Sequence, residues 1–128
     1  MPTVYVSTSA ILQKAQIVGF INAATNTLSQ AAKVPKEHVH IQLNQGQTMT
    51  WGGRLGGEDG APHTAQIRIL CLQDLPKEVK MTMISGILES LPVPKASTQI
   101  YFEGCNDDQV AIDGLLLPDL IARDSAPN

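Results

Sequence analysis

The sequence predicts an α/β (α+β) fold: two β-α-β units forming a four-stranded mixed sheet with two helices on one face. Three observations carry this. Apolar, β-branched runs alternate with helix-period stripes in the order strand, helix, strand, glycine-rich loop, strand, helix, strand. The length of 128 residues suits a single domain able to bury about two-thirds of its unfolded surface. Apolar residues make up 43% and charged residues 16%, against roughly 25% charged in an average domain. Disorder is excluded, and another subunit is expected to cover part of so thinly charged a surface.

Thr-Val-Tyr-Val-Ser at 3–7 reads as the first strand. Ser7, Thr8 and Ser9 offer N-caps for a helix running to about Lys33, with the stripe Ile17, Ile21, Ala24, Leu28 and Ala31. Pro35 ends it, because proline disfavours the α region at Val34. From His38 to Leu43, apolar Val39, Ile41 and Leu43 alternate with His38, His40 and Gln42, the pattern of a half-buried strand. Residues 46–60 hold six of the ten glycines but no phosphate-loop lysine, so a small hairpin around Trp51-Gly52-Gly53-Arg54 is expected. Ala65–Leu72 is the next strand. Asp74 and Pro76 then open a helix with the stripe Val79, Met83, Ile87 and Leu91, stopped by Pro92 and Pro94. Thr98–Phe102 is the last core strand. The halves, about 2–45 and 64–104, echo each other in element order, and a tail follows at 105–128. Helices on one side leave the opposite sheet face bare, which predicts oligomerisation.

Nine Lys/Arg against twelve Asp/Glu give a net charge of −3 with no basic block, so nucleic acid is not an expected partner. The run Leu115-Leu116-Leu117 is too short to span a bilayer, so no membrane partner is expected. Cys71 and Cys105 lie far apart, without CxxC or histidine at ligand spacing. The expectation is two free thiols and no metal, in a reducing compartment. No lysine or arginine precedes Lys14, no secretory signal is visible, and the expected location is cytoplasmic.

Position 2 is proline, a residue small enough for methionine aminopeptidase to remove Met1. The product would carry a secondary amine at the head of a central strand. An α-amino group titrates near about 8, and desolvation lowers that value, so such an amine is a base at neutral pH.

Pro2 heading a strand, an amphipathic helix and a duplicated unit in one small domain resemble the tautomerase superfamily, whose members use an amino-terminal proline as general base or acid. Within it, MPTVYVS, AAKVPKEHVHIQL (31–43), WGGRLGG (51–57) and IYFEGCNDDQVAIDGLLLP (100–118) most resemble the cis-3-chloroacrylic acid dehalogenase group. Macrophage migration inhibitory factor is a looser likeness. The resemblance covers essentially the whole chain and implies a homotrimer acting on a small molecule, with no cofactor. Pro2 matches the catalytic proline and Tyr101 the active-site tyrosine.

The departures are as informative. Leu72 and Leu75 stand where the dehalogenase has two carboxylate-binding arginines, Ile112 where it has the water-activating glutamate, and Ser29 where it has a helix histidine. Without the arginine clamp and the base, hydrolytic dehalogenation is not expected. The implied pocket is apolar, with Leu72, Leu75, Ile112 and Leu117 around the proline amine. His38 falls where a related decarboxylase has a water-handling aspartate, or is a surface histidine. Lys33 matches a substrate-contacting lysine of the migration inhibitory factor group, or caps the helix C-terminus. Asp113, Arg54 and Arg68 are further candidates for charge at the site.

The leading expectation is a cofactor-independent enol–keto tautomerase acting on an apolar 2-oxo acid or enol. Pro2 serves as general base and acid, and Tyr101 as hydrogen-bond donor to the oxyanion. A proline-assisted, cofactor-free oxygenase is a variant of it. A non-catalytic oligomeric binding or signalling protein on the same fold is the alternative from another class, and a ferredoxin-like regulatory domain that needs nothing of Pro2 is a third.

Overall fold

β1 (Thr3–Thr8) begins directly after Pro2 and alternates, with Val4, Val6 and Thr8 buried and Thr3, Tyr5 and Ser7 turned to the other side. The chain is seen here as a computed structural model describing residues 2–72 and 74–125; the expected loss of Met1 lies outside the described residues.

α1 (Lys14–Ala32) starts later than the hydroxyl residues at 7–9 suggest. Those side chains are engaged elsewhere. Thr8 Oγ1 donates to the Thr64 carbonyl and accepts the Ala10 N–H, while the Ser9 hydroxyl accepts the Thr64 N–H and pairs with His63 Nδ1 at 3.0 Å. Gln13 and Gln16 open the helix instead, in a reciprocal capping box. Phe20, Ala24 and Leu28 form the buried face, flanked by Ile17, Ile21 and Ala31. Lys33 closes α1 in the left-handed conformation at φ 56°. Pro35 then leads into a single 3₁₀ turn, Lys36–His38, so β2 (His40–Asn44) begins two residues later than the alternation suggests.

The glycine loop contains the expected hairpin. β3 (Thr50–Trp51) and β4 (Arg54–Leu55) are joined by Gly52 and Gly53 at φ 59° and 81°, the positive values that a two-residue hairpin turn requires. β5 (Ala65–Cys71) buries Ala65, Ile67, Ile69 and Cys71. The N-cap position of α2 (Lys77–Ser90) is Pro76 rather than Asp74, and Met83, Ile87 and Leu91 point inward as the stripe requires. β6 (Thr98–Gly104) completes the core. The tail forms a small hairpin, β7 (Ala111–Ile112) and β8 (Leu115–Leu116), and then α3 (Leu117–Ser125).

The sheet order is β2-β1-β5-β6. Each β-α-β unit pairs its own strands in parallel, β1 with β2 and β5 with β6, and the antiparallel pair β1–β5 joins the units. Inward residues of β1 and β5 face each other row by row, Val4 opposite Ile69 and Val6 opposite Ile67, and both helices cover this face. The other face is bare and polar. There Arg68 grips Glu103 with two bonds of 2.7 and 2.8 Å and lies 5.7 Å from the centroid of the Tyr5 ring. That hydrogen-bonded guanidinium holds Glu103 below the ordinary carboxylate range, so its small contribution is present at neutral pH and lost on acidification.

The two helices touch closely where Gly86 meets Thr27. A Cβ at position 86 would overlap the Thr27 side chain as far in as its Cβ, so rotating that side chain gives no relief. Gly86→Ala is therefore expected to destabilise by about 1–3 kcal/mol. Adding Thr27→Gly, which removes the Cβ that Thr27→Ala would keep, should relieve the overlap and recover part of the loss in urea denaturation.

Candidate active site

Because β1 and β5 are antiparallel, the start of β1 meets the end of β5. Thr3 pairs with Leu70 on one side and His40 on the other, so Pro2 heads the row formed by Cys71 and Val39. Its carbonyl accepts the His40 N–H at 3.2 Å, and its side chain is less than 2% exposed.

One strand over from Pro2, an open cleft of about 390 Å³ is lined by Cys71, Leu72, Leu75, Lys80, Phe102 and Cys105, with Asp74 and Glu103 among the polar groups. Leu72 and Leu75 reach it because they follow the end of β5, and Lys80 because it sits in the first turn of α2. The Lys80 ammonium stands 5.7 Å from the centroid of the Phe102 ring. The Cys105 N–H donates to the Cys71 carbonyl at 2.9 Å, which joins the backbones of two free cysteines across 34 residues of sequence, 105 − 71. Burial pushes the Cys71 thiol up, with nearby Lys80 partly opposing. A raised pKa leaves less thiolate, so the less buried Cys105 should be alkylated well before Cys71 by iodoacetamide at pH 7.5, as peptide mass mapping would show.

The sequence places Ile112 and Leu117 in one pocket with Leu72 and Leu75. The structure separates them. Ile112 and Leu117 line a second cleft of about 420 Å³ beside His38, His40 and Ile121. The physical reason is the course of the tail, which leaves β6 and sets Leu117, Leu120 and Ile121 of α3 across this cleft from the 3₁₀ turn before β2. His38 is exposed there.

Tyr101 lies elsewhere. It pairs with Arg68 in the middle of β6, three rows from Cys71, is 46% exposed on the bare face, and its hydroxyl meets Gln99 Oε1 at 3.0 Å. Lys33 is exposed at the left-handed end of α1. Of the remaining charged candidates, Arg54 bonds the Asp59 carbonyl within the glycine loop, Arg68 is held by Glu103, and Asp113 at the β7–β8 turn pairs with Arg123 at 3.1 Å. None of the three lines the cleft beside Cys71. Lys80, which the sequence pattern does not single out, is the cation among the described residues lining this cleft. It stands eight positions beyond Leu72 with only a helix start between, and nothing in the local pattern marks it.

No protein-family model matches the chain, and no curated protein matches it. Solved structures do. A macrophage migration inhibitory factor from Toxoplasma gondii is 17% identical with a TM-score of 0.75, covering 88% of this chain and 97% of its own. The R7 fused 4-OT wild-type asymmetric trimer is 17% identical with a TM-score of 0.76, covering 92% and 98%. Pt0534 inactivated by 2-oxo-3-pentynoate is 11% identical with a TM-score of 0.78, covering 94% and 99%. The duplicated β-α-β sheet with both helices on one face is thus the tautomerase fold, shared with the migration inhibitory factors and fused 4-OT.

Proposed function

We propose that this chain is a cofactor-independent tautomerase that interconverts the enol and keto forms of an apolar 2-oxo acid, with the Pro2 amine as general base and acid. One observation carries the reading: Pro2 heads a central strand, is buried, and lies one strand from a leucine-lined cleft. Buried surroundings disfavour an ammonium, which favours the neutral amine that takes a proton from the enol hydroxyl and returns it to carbon. The inactivation of Pt0534 by a 2-oxo acid accords with this substrate class.

The working form is a homotrimer, a number supported by the fused 4-OT trimer of the same fold. Three sheets closed around an axis cover the bare faces and the open edges. Tyr101, remote from its own Pro2, then acts from a neighbouring subunit as donor to the oxyanion. His38, Ile112 and Leu117, which line the second cleft, and Lys33, exposed at the end of α1, stand outside the cleft beside Cys71. The absence of arginine at Leu72 and Leu75 keeps halide release from 3-chloroacrylate weak or absent.

The test is enol–keto conversion of phenylpyruvate followed by ultraviolet absorbance, with light scattering on the same sample. kcat/KM is expected to rise with pH and level off with a midpoint below the ordinary α-amino value of about 8. A protein that binds phenylpyruvate without converting it, at any pH, would instead be the non-catalytic binding protein.

A further inference from the structure

The leucines at 72 and 75 leave the 2-oxo acid's carboxylate without a clamp, and the cleft itself supplies the missing charge. We propose that Lys80 is the specificity-determining cation of the cleft and that it pairs with the carboxylate of an aryl or branched-alkyl 2-oxo acid, whose apolar end rests on Leu72, Leu75 and Phe102. The inference rests on the tautomerase reading for the reaction, and on the cleft alone for the binding.

Four observations support it. Lys80 is the one cation among the described residues lining this cleft. It is half-buried, and among the described residues no carboxylate lies within 4.0 Å of it. A half-buried ammonium with no anionic partner gains more from an incoming carboxylate than a fully hydrated one does. Of the two acidic side chains at the cleft, Glu103 is held by both of its bonds to Arg68, and Asp74 is exposed at the rim. Finally, Phe102 lies under the ammonium with Leu72 and Leu75 beside it, so a ligand that is anionic at one end and flat and apolar at the other matches the lining.

The experiment compares phenylpyruvate with its methyl ester, which keeps the aryl group and removes the charge. Dissociation constants are measured by calorimetry and KM by absorbance for wild type, Lys80→Gln, Lys80→Arg and the control Lys77→Gln, an exposed lysine outside the lining. Lys80→Gln is expected to weaken the acid about 10–100-fold and leave the ester nearly unchanged. Lys80→Arg should retain most of the acid affinity, and Lys77→Gln all of it. A wild type that does not prefer acid to ester, or a Lys80→Gln that weakens both alike, would overturn the proposal and leave Lys80 a packing partner of Phe102. Loss of acid binding in Lys80→Gln, in a wild type that never turns the acid over, upholds the carboxylate site and defeats the tautomerase reading. Turnover by wild type with an unchanged acid-to-ester ratio in Lys80→Gln does the reverse.

Discussion

A protein in which the Pro2 nitrogen is tied up in an amide, by an uncleavable residue placed before it, is expected to lose enol–keto turnover by about 10²–10⁴-fold. An amide nitrogen is not basic at any accessible pH, so the proton acceptor disappears while the cleft and the sheet stay intact. Far-ultraviolet circular dichroism should be unchanged, and binding of phenylpyruvate should survive if Lys80 holds its carboxylate. Pro2→Ala is the milder companion. It keeps a primary amine but loses the rigid ring, and about a hundredfold loss is expected. Full activity in either protein, with its N-terminus verified by intact-mass spectrometry, would remove Pro2 from the mechanism.

Phe20→Ala is expected to destabilise the fold by about 3–5 kcal/mol, a large share of the roughly 5–15 kcal/mol available to a domain. Phe20 is 1% exposed and is the bulkiest side chain of the buried α1 face, one turn from Ala24. The buried cluster it belongs to includes the β-branched Val4, Val6, Ile67 and Ile69 of the sheet, which have little freedom to close a void. The urea midpoint should fall with an unchanged slope, the sign of lost packing in an otherwise unaltered native state. A shift under 1 kcal/mol would mean that the sheet and α1 are less tightly joined than the burial indicates.

The core was legible because its stripes obey period rules that burial enforces. Val4 and Val6, Ile67 and Ile69, and Met83 with Ile87 all face where their spacing places them. The hairpin at Trp51-Gly52-Gly53-Arg54 was legible because two positive φ values need glycine. The start of α1 was not, since Thr8 and Ser9 spend their hydroxyls on Thr64, 56 and 55 residues away, and no local rule shows such a partner. The lining of the candidate cleft was legible in part. Resemblance brought Leu72 and Leu75 to one place, but whether Ile112 and Leu117 join them depends on the path of a tail whose own pattern does not say which side of the sheet it takes. Lys80 stayed hidden for a related reason: it meets Phe102 only through the packing of α2 on β6.

The strand order carries one more consequence. β2 and β6 each end the sheet, and each presents one row of N–H and C=O groups with no strand beside it among the described residues. These edges are five and seven residues long and carry little charge beyond Glu103, so they lack the lysines and prolines that usually keep a free edge from templating other chains. A lone subunit is therefore the sticky species. Variants that weaken subunit contacts should show themselves as turbidity and thioflavin-positive material on dilution and warming, rather than as well-behaved monomers. In the trimer proposed above, assembly would cover these edges and so protect against amyloid-like growth as well as complete the proposed site.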